Sequence, residues 1–288
     1  MKFITFIEDG LQKAGITSKD MKSVHSFTDV GLNYSSMLDF IRFHNEDDIS
    51  KLKDIETTTG TSIDTVQLVA PIPNPHHDII CLGLNYMDHV MESKSATKDT
   101  VRSEAIYFSK RVIEAVGPNG YIESHNDIMN SLDYEAEMAV VIGKDAKGIK
   151  KENAWDYVFG LMSFNDVSAR EIQHKHNQWY FGKSLDSFTA FGPWIVSLDE
   201  FSFPIELNVV SRVNGEVRQN NNTRNMIFPV DYVIEELSSG ITLDKGTIIA
   251  TGTPSGVAAG FNPPKFMKPG DICEIEIEGC GILRNNVR

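Results

Sequence analysis

The feature that most constrains the fold is a central segment that is apolar over most of its length. Residues 132–143 read LDYEAEMAVVIG, so two glutamates are followed directly by a continuous apolar run. Strands covered on both faces have such runs, whereas half-exposed strands alternate apolar and polar residues. The segment therefore predicts a strand buried on both faces, inside a core that a chain of 288 residues is long enough to form.

Strand patterns dominate the rest of the chain. Further strands are predicted at residues 2–7, 79–84, 157–166 and 193–196. A hairpin is predicted to turn at Asn214 and Gly215, because both residues accept the positive φ of such turns. The tail, DICEIEIEG, alternates apolar and acidic residues, which predicts a half-buried strand with the isoleucines inward and Glu276 and Glu278 outward.

Helix patterns are fewer than strand patterns. Predicted helices cover residues 35–44, 46–55 and 230–239, the last one closing on Gly240, and another contains residues 169–178. The strands do not alternate regularly with these helices, as a doubly wound sheet requires. The sequence therefore predicts an α+β fold in which strands are dominant.

A proline-rich segment divides the chain. Residues 71–77 read PIPNPHH, and their three prolines cannot lie in a helix interior or a central strand. We place a boundary near residue 70, between a small N-terminal α/β domain of residues 1–70 and a larger domain of residues 71–288.

Composition excludes several classes of protein. A net charge of -13 disfavours nucleic-acid binding, because phosphate contacts need clustered Lys and Arg that this chain does not gather. No segment has the apolar length of a membrane span, and the N-terminus lacks the pattern of a signal peptide. The three cysteines show no paired spacing, which fits free thiols in a reducing compartment. We expect a soluble cytoplasmic protein that binds neither nucleic acid nor membrane.

Three acidic residues form a candidate metal site. Glu135 and Glu137 are two apart and would share one face of a strand, with their carboxylates close together. Such a pair usually faces solvent, as expected for Glu276 and Glu278, but here it runs into a buried strand, where two carboxylates need a cation. Asp166 likewise ends an apolar strand where a helix begins. Three oxygen donors suit a hard ion such as Mg²⁺, with Mn²⁺ or Ca²⁺ as alternatives.

Seven segments of residues 71–288 form an ordered set of motifs. They are LGLNYMDHVMES (82–93), IYFSK (106–110), DYEAEMAVVIGK (133–144), FNDVSAREIQ (164–173), GKSLDSFTAFGPWIV (182–196), IIATGTPSGV (248–257) and MKPGDICEIEIEGCGILRN (267–285). In this combination and order they resemble the fumarylacetoacetate hydrolase family. The resemblance implies a mixed β-sandwich roll with flanking helices, usually assembled as a homodimer. It also implies Mg²⁺ or Mn²⁺ on Glu135, Glu137 and Asp166.

The resemblance assigns a catalytic dyad to His89 and Glu92, on a short helix beneath a lid. A spacing of three puts both side chains on one helical face, where Glu92 can orient His89 as a general base. A chance pair on an exposed helix is the alternative. The polar residues 92–100 are the expected lid, because a loop that opens and closes has few apolar anchors.

Five further residues match family positions around the substrate. Lys183 is assigned a catalytic role, while Lys110, Arg170, Gln173 and Thr253 are assigned to substrate binding. Cations beside an acidic metal site suit an anionic substrate. The alternatives are solvated helix residues and a turn-forming threonine.

These residues predict chemistry on small anionic 2-oxo acids. The primary hypothesis is hydrolysis of a carbon–carbon bond in an acylpyruvate or a related 2,4-dioxo acid through a metal-stabilised enolate. Decarboxylation of oxaloacetate, or isomerisation and decarboxylation in homoprotocatechuate breakdown, would use the same enolate. A noncatalytic 2-oxo acid sensor is a third hypothesis, which an intact His89 and Glu92 pair disfavours.

Overall fold

The computed structural model describes residues 1–93 and 103–288. Its strands are β1 Lys2–Glu8, β2 Leu11–Thr17, β3 Ser23–Ser26, β4 Thr61–Ser62, β5 Gln67–Val69, β6 Ile79–Gly83, β7 Ile106–Lys110, β8 Tyr121–Ile122, β9 Leu132–Asp133, β10 Ala136–Ile142, β11 Val158–Asp166, β12 Ser168–Ala169, β13 Thr189–Ser197, β14 Asn208–Val213, β15 Glu216–Asn222, β16 Ile248–Ala250, β17 Ile272–Ile277 and β18 Gly281–Val287. Its α-helices are α1 Met37–Phe43, α2 Glu46–Ile55, α3 Met87–Glu92, α4 Arg170–Lys175, α5 Tyr180–Lys183 and α6 Val230–Gly240.

The larger sheet has β10 in its interior. Its 11 strands follow the order β4-β3-β2-β1-β13-β11-β10-β16-β6-β7, with β5 against β1. All residues of β10 are buried. Its two neighbours, β11 and β16, both run antiparallel to it. The predicted strand buried on both faces is therefore confirmed.

The two glutamates before this apolar run do not share one strand, and that expectation is wrong. β9 pairs with β12 in a separate two-stranded ladder, whereas β10 pairs with β11. The chain changes partner at Tyr134 and Glu135. There the Glu135 N–H donates to the side-chain oxygen of Asn165 at 3.1 Å instead of to a backbone carbonyl. Glu135 thus precedes β10, and Glu137 lies within it.

A second sheet has five strands in the order β15-β14-β17-β18-β8. Ile275 of β17 and Val140 of β10 belong to one hydrophobic core, so the two sheets pack together. The predicted hairpin turn between β14 and β15 is confirmed, with φ of 51° at Asn214 and 80° at Gly215. The predicted strand-dominated α+β class is confirmed as well.

Helix bounds agree with the predictions in part. α2 has the predicted bounds, but α4 ends at Lys175, because His176 adopts extended backbone and contacts the Phe181 ring. Gly240 is the last residue of α6 rather than its cap, and Lys147 Nζ donates to the Gly240 carbonyl at 2.6 Å. Among the described residues no helix is long and apolar enough to cross a membrane.

The N-terminal residues extend the larger sheet. β1 pairs with β13 through Lys2 with Val196 and Phe3 with Ile195. β2 and β3 then continue the sheet outward, and neither strand was predicted from the sequence. The boundary near residue 70 stays a prediction, and one hydrogen-bonded sheet runs across it.

Candidate active site

A cavity of about 440 Å³ lies at one edge of the larger sheet. Leu82 and Gly83 line it from the carboxyl end of β6, and Thr253 lines it just beyond the end of β16, which runs parallel to β6. β10 is antiparallel to β16, so the amino end of β10 and its Glu137 reach the same edge. Strand directions alone therefore bring three distant segments to one cavity.

The three predicted metal ligands meet at this edge. Ala136 of β10 is in register with Asn165 of β11, which places Glu135 and Asp166 side by side at the two strand ends. The Asp166 N–H donates to the Glu135 carbonyl at 3.0 Å and fixes this arrangement. One carboxylate oxygen from each of Glu135, Glu137 and Asp166 lies within 4.8 Å of the others.

Buried cations surround this carboxylate cluster. Lys183 Nζ lies 2.7 Å from Glu135 Oε2 and 2.7 Å from Asp166 Oδ2. Lys110 Nζ lies 2.5 Å from Asp166 Oδ1 and donates to the Val167 carbonyl at 2.9 Å. The cluster is thus tied to the chain by charge-assisted hydrogen bonds, which are stronger than neutral ones.

The neighbouring charges shift the pKa values of the carboxylates in different directions. Burial raises the pKa of Glu135, but the charges of Lys183 and Arg170 outweigh it and hold that pKa well below the ordinary range. Burial, then the charges of Asp166 and Glu135, raises the pKa of Glu137 well above its ordinary value. Burial lowers the pKa of Lys183, but Asp166 and Glu135 outweigh it and raise that pKa. Lys183 is therefore a fixed cation, and Glu137 is the carboxylate that lacks positive charge.

The cluster fits a hard divalent cation. Glu135, Glu137 and Asp166 are all buried and supply only carboxylate oxygens, the donors that Mg²⁺ and Mn²⁺ prefer. Ligands on one Mg²⁺ at about 2.1 Å lie no more than about 4.2 Å apart, so only a small adjustment of the present spacing is needed. A cation here would also meet the need for positive charge at Glu137.

His89 and Glu92 lie together on α3 at the cavity wall. His89 Nδ1 is 3.1 Å from Glu92 Oε2, as the spacing of three predicts. Glu92 Oε1 accepts from the Gly256 N–H at 2.9 Å, and an added Cβ at Gly260 would lie 2.0 Å from that oxygen. Asp88 anchors the helix by accepting from the Ser255 hydroxyl at 2.7 Å. The loop after β16 therefore holds Glu92, and Glu92 orients His89.

The predicted substrate-binding residues differ in their access to the cavity. Arg170, Gln173 and Thr253 line it, but the Arg170 guanidinium is already engaged by Asp133, Glu135 and Gln173. Lys110 is fully buried behind Asp166 and is not part of the cavity wall. The structure thus places Lys110 against Asp166, a predicted metal ligand, instead of on the pocket lining. The contacts of all four residues with a substrate stay predictions.

Asp133 is a site residue that sequence reasoning missed. Its carboxylate accepts from Arg170 Nε at 2.7 Å and from the Ala258 and Ala259 N–H groups at 2.6 and 3.0 Å. It thereby fixes the guanidinium that contacts Glu135 and the loop that follows β16. A signal was present, because Asp133 stands two residues before Glu135 and continues the same period of two.

The cavity is also lined by large apolar residues that the sequence did not single out. Phe108, Trp179 and Phe266 line it, and the Phe108 and Trp179 rings pack edge to face at 5.3 Å. The predicted lid, residues 92–100, lies outside the described residues from position 94 onward.

Comparison with known proteins identifies the class. Residues 78–288 match the family model described as fumarylacetoacetate (FAA) hydrolase C-terminal. The chain therefore belongs to the fumarylacetoacetate hydrolase family, as its ordered motifs predict.

Particular relatives narrow this class. Oxaloacetate tautomerase YisK of Bacillus subtilis is 45% identical over 226 residues, which are 78% of this chain and 74% of that protein. A solved structure of fumarylacetoacetate hydrolase from Exiguobacterium antarcticum matches with a TM-score of 0.84 at 37% identity, covering 100% of this chain and 99% of that one. Maleylpyruvate hydrolase from Sphingobium sp. SYK-6, solved with a manganese(II) ion and pyruvate, matches with a TM-score of 0.78 at 26% identity, covering 100% and 98%. The relatives named are enzymes, and one of them binds a divalent metal.

Proposed function

We propose that this chain is a divalent-metal-dependent enzyme that converts small 2-oxo acids through their enol form. The observation that supports it is one cavity lined by Glu135 and Glu137 of the carboxylate cluster and by the His89–Glu92 pair. Mg²⁺ or Mn²⁺ held by Glu135, Glu137 and Asp166 would supply a Lewis acid for the oxygens of the 2-oxo acid group. The chain's own residues then have to supply a base and fixed positive charge.

His89 is the proposed base. When its Nδ1–H donates to Glu92, Nε2 carries the lone pair, and the negative Glu92 stabilises the imidazolium that forms. Nε2 takes a proton from C3 of the 2-oxo acid, and the 2-oxo oxygen receives a proton in return. The net change is a shift of one proton from carbon to oxygen, with no other reactant consumed.

Lys183 is the proposed source of fixed positive charge. Its ammonium group is buried, lines the cavity and is held in place by Glu135 and Asp166. A preorganised cation stabilises negative charge that develops on a substrate oxygen, because it does not have to reorient during the reaction. Burial lowers the pKa of Lys183, but the charges of Asp166 and Glu135 raise it overall, which suits a fixed cation better than a general base.

The favoured reaction is the keto–enol tautomerisation of oxaloacetate or a similar 2-oxo acid. The tautomerase YisK, at 45% identity, supports this choice over the other reactions of the family. Proton transfer between carbon and oxygen requires only the base and the electrophilic site described above.

Hydrolysis of an acylpyruvate is the second candidate, which the two hydrolase structures support. In that reaction His89 would take a proton from water, and the water oxygen would bond to the distal carbonyl carbon. The bond from that carbon to C3 would break, C3 would keep the electron pair and take a proton, and a carboxylic acid and pyruvate would leave.

A single set of assays tests these proposals. Purified protein with added Mg²⁺ is assayed for loss of the enol absorbance of oxaloacetate, for decarboxylation of oxaloacetate, and for turnover of acetylpyruvate and fumarylpyruvate. We expect turnover that is lost in Glu137→Gln and kept in the surface control Glu278→Gln. Equal rates in wild type and Glu137→Gln would contradict the metal proposal. Tight oxalate binding without turnover of any substrate would favour the noncatalytic sensor.

The His89→Gln variant separates the two reactions. Loss of acetylpyruvate turnover with tautomerisation kept would assign the His89–Glu92 pair to hydrolysis. Loss of tautomerisation would assign it to proton transfer at C3.

We also propose that the active form is a homodimer, which the family resemblance supports, and that it is cytoplasmic, which the free cysteines support. Light scattering of the purified protein tests the assembly, and a mass of one chain of 32.2 kDa would contradict it.

A further inference from the structure

A second group of ligand-type side chains lies at the opposite end of two strands that reach the cavity. His76 and His77 precede β6, and Asp244 lies in the turn before β16. β6 and β16 are paired in parallel, so their starting ends lie together, away from the ends that lead to the cavity. The five residues of β6 correspond to about 16 Å of extended chain between the two places.

Both imidazoles converge on one carboxylate. His76 Nε2 is 2.9 Å from Asp244 Oδ2, and His77 Nε2 is 3.3 Å from Asp244 Oδ1. Two ligands bonded to one ion at about 2.1 Å, with angles of roughly 90–110°, lie about 3.0–3.4 Å apart. The three side chains are therefore already close to the spacing that a shared metal ion requires, and one ligand atom from each lies within 4.8 Å of the others.

The surroundings favour a ligand role. Nδ1 of His76 is buried and has no hydrogen-bond partner within the described parts of the chain, and Nε2 faces Asp244, so Nε2 is the ring nitrogen placed to bind an ion that Asp244 also binds. Asp244 Oδ1 accepts from the Thr247 hydroxyl at 2.9 Å, the type of outer contact that orients a metal-binding carboxylate. His77 is exposed, which leaves room for water on an ion. Arg42 Nη2, 3.8 Å from Asp244 Oδ2, is the competing cation.

We propose that His76, His77 and Asp244 bind a transition-metal ion of the zinc class. Two imidazole nitrogens and one carboxylate select Zn²⁺, Co²⁺ or Ni²⁺ over Mg²⁺, whereas the all-oxygen cluster in the cavity selects the harder ions. The ion joins the proline-rich segment of residues 71–77 to the turn before β16. It links the starting ends of β6 and β16, whose far ends lead to the active site.

Zinc titration tests the proposal. The full chain is freed of metal with EDTA, supplied with excess Mg²⁺ and titrated with Zn²⁺ by calorimetry, and Co²⁺ is used for its visible absorption. We expect one bound Zn²⁺ per chain, with affinity reduced at least about tenfold in His77→Ala and in Asp244→Asn. Asp244→Asn keeps an acceptor for Thr247, so the turn is preserved. The control His125→Ala, which removes a histidine whose Nε2 lies 3.0 Å from the Asp186 carbonyl and whose ring packs against Phe188, should leave the affinity unchanged.

A second arm excludes binding in the cavity. Zn²⁺ could displace Mg²⁺ from the carboxylate cluster, so the titration is repeated with Glu137→Gln. Retention of the same Zn²⁺ affinity supports the second site. Loss of that Zn²⁺ in Glu137→Gln, or equal weakening in His77→Ala and His125→Ala, overturns it.

Discussion

Two parts of the chain carry glutamates two residues apart, and the fold treats them in opposite ways. Glu135 and Glu137 are 5% and 1% exposed and sit beside Asp166. Glu276, in the EIEIE run of β17, has a side chain that is 35% exposed and is paired with Arg212 at 2.7 Å. Glu135 and Glu137 thus belong to the carboxylate cluster, whereas Glu276 lies on a solvent-exposed face and forms an ordinary surface ion pair.

The residues between and after the glutamates explain the difference. β17 alternates, so Cys273, Ile275 and Ile277 are buried while its glutamates face outward. β10 has no outward face, because every one of its residues is buried. The same spacing of acidic residues therefore indicates solvent on an alternating strand and a cation on a strand covered on both faces.

The largest expected difference between the two acidic pairs is in the free energy of unfolding that is lost when the neighbouring cation is removed. Lys183→Met should destabilise the metal-free protein by about 3–5 kcal/mol, because it leaves Glu135 and Asp166 buried without their shared cation. Arg212→Met should cost less than about 1 kcal/mol, since its pair with Glu276 is partly exposed. Urea unfolding measures both, and similar losses would show that the two acidic pairs are not energetically distinct.

The next largest expected difference is in kcat/KM, between variants of Glu137 and of Glu276. Glu137→Gln removes a metal ligand and should lower kcat/KM at least about 100-fold, or about 2.7 kcal/mol in transition-state stabilisation. Glu276→Gln should change kcat/KM less than about twofold, because a rim ion pair is worth little. Circular dichroism of both variants checks the fold. Comparable losses of kcat/KM in the two variants would mean that the catalytic site does not lie at the carboxylate cluster.

Metal removal gives a stability difference of similar size. Mg²⁺ at 100 times its dissociation constant should stabilise the wild type by about 2.7 kcal/mol relative to protein in EDTA. Glu276→Gln should keep this gain and Glu137→Gln should lose it. Thermal unfolding with and without Mg²⁺ measures the gain, and an equal gain in all three proteins would mean that the ion binds outside the carboxylate cluster.

The smallest expected effect is a pH dependence of the metal-free protein. The folded-state pKa of Glu137 is raised, so its contribution to stability is present below the unfolded pKa of about 4.3 and is lost as the pH rises through the raised value. One proton gives a slope of at most about 1.4 kcal/mol per pH unit. Added Mg²⁺ should therefore stabilise more as the pH rises. Unfolding at a series of pH values measures this, and Glu137→Gln should remove the slope.

Local patterns predicted much of the fold and most of the site. The continuous apolar run identified β10 as buried, and the Asn214–Gly215 pair identified a hairpin, because each signal lies within a few neighbouring residues. The spacing of His89 and Glu92 predicted their contact for the same reason. The ordered motifs predicted which distant segments belong to one site, a conclusion that spacing alone could not reach.

The unpredicted features depend on contacts between distant residues. The change of partner at Tyr134 and Glu135 follows from pairing with β11 and β12, which no local pattern encodes. Lys110 turns to Asp166 instead of lining the cavity because Asp166 and Val167 offer it partners 56 and 57 residues away. The Asp133 carboxylate accepts hydrogen bonds from the Ala258 and Ala259 N–H groups, so its role depends on a loop more than 120 residues further along the chain.

The pairing of β1 with β13 has a consequence for how such a chain can be shortened. β13 belongs to the sheet that carries the candidate site, and β1 pairs with the last part of β13 at Ile195 and Val196. Without residues 1–70, this part of β13 would offer unpaired N–H and C=O groups beside buried residues such as Ile195, a template for strand addition by another molecule. Residues 1–70, which lie outside the family match, thus cover this part of the sheet, and we expect a fragment that lacks them to aggregate.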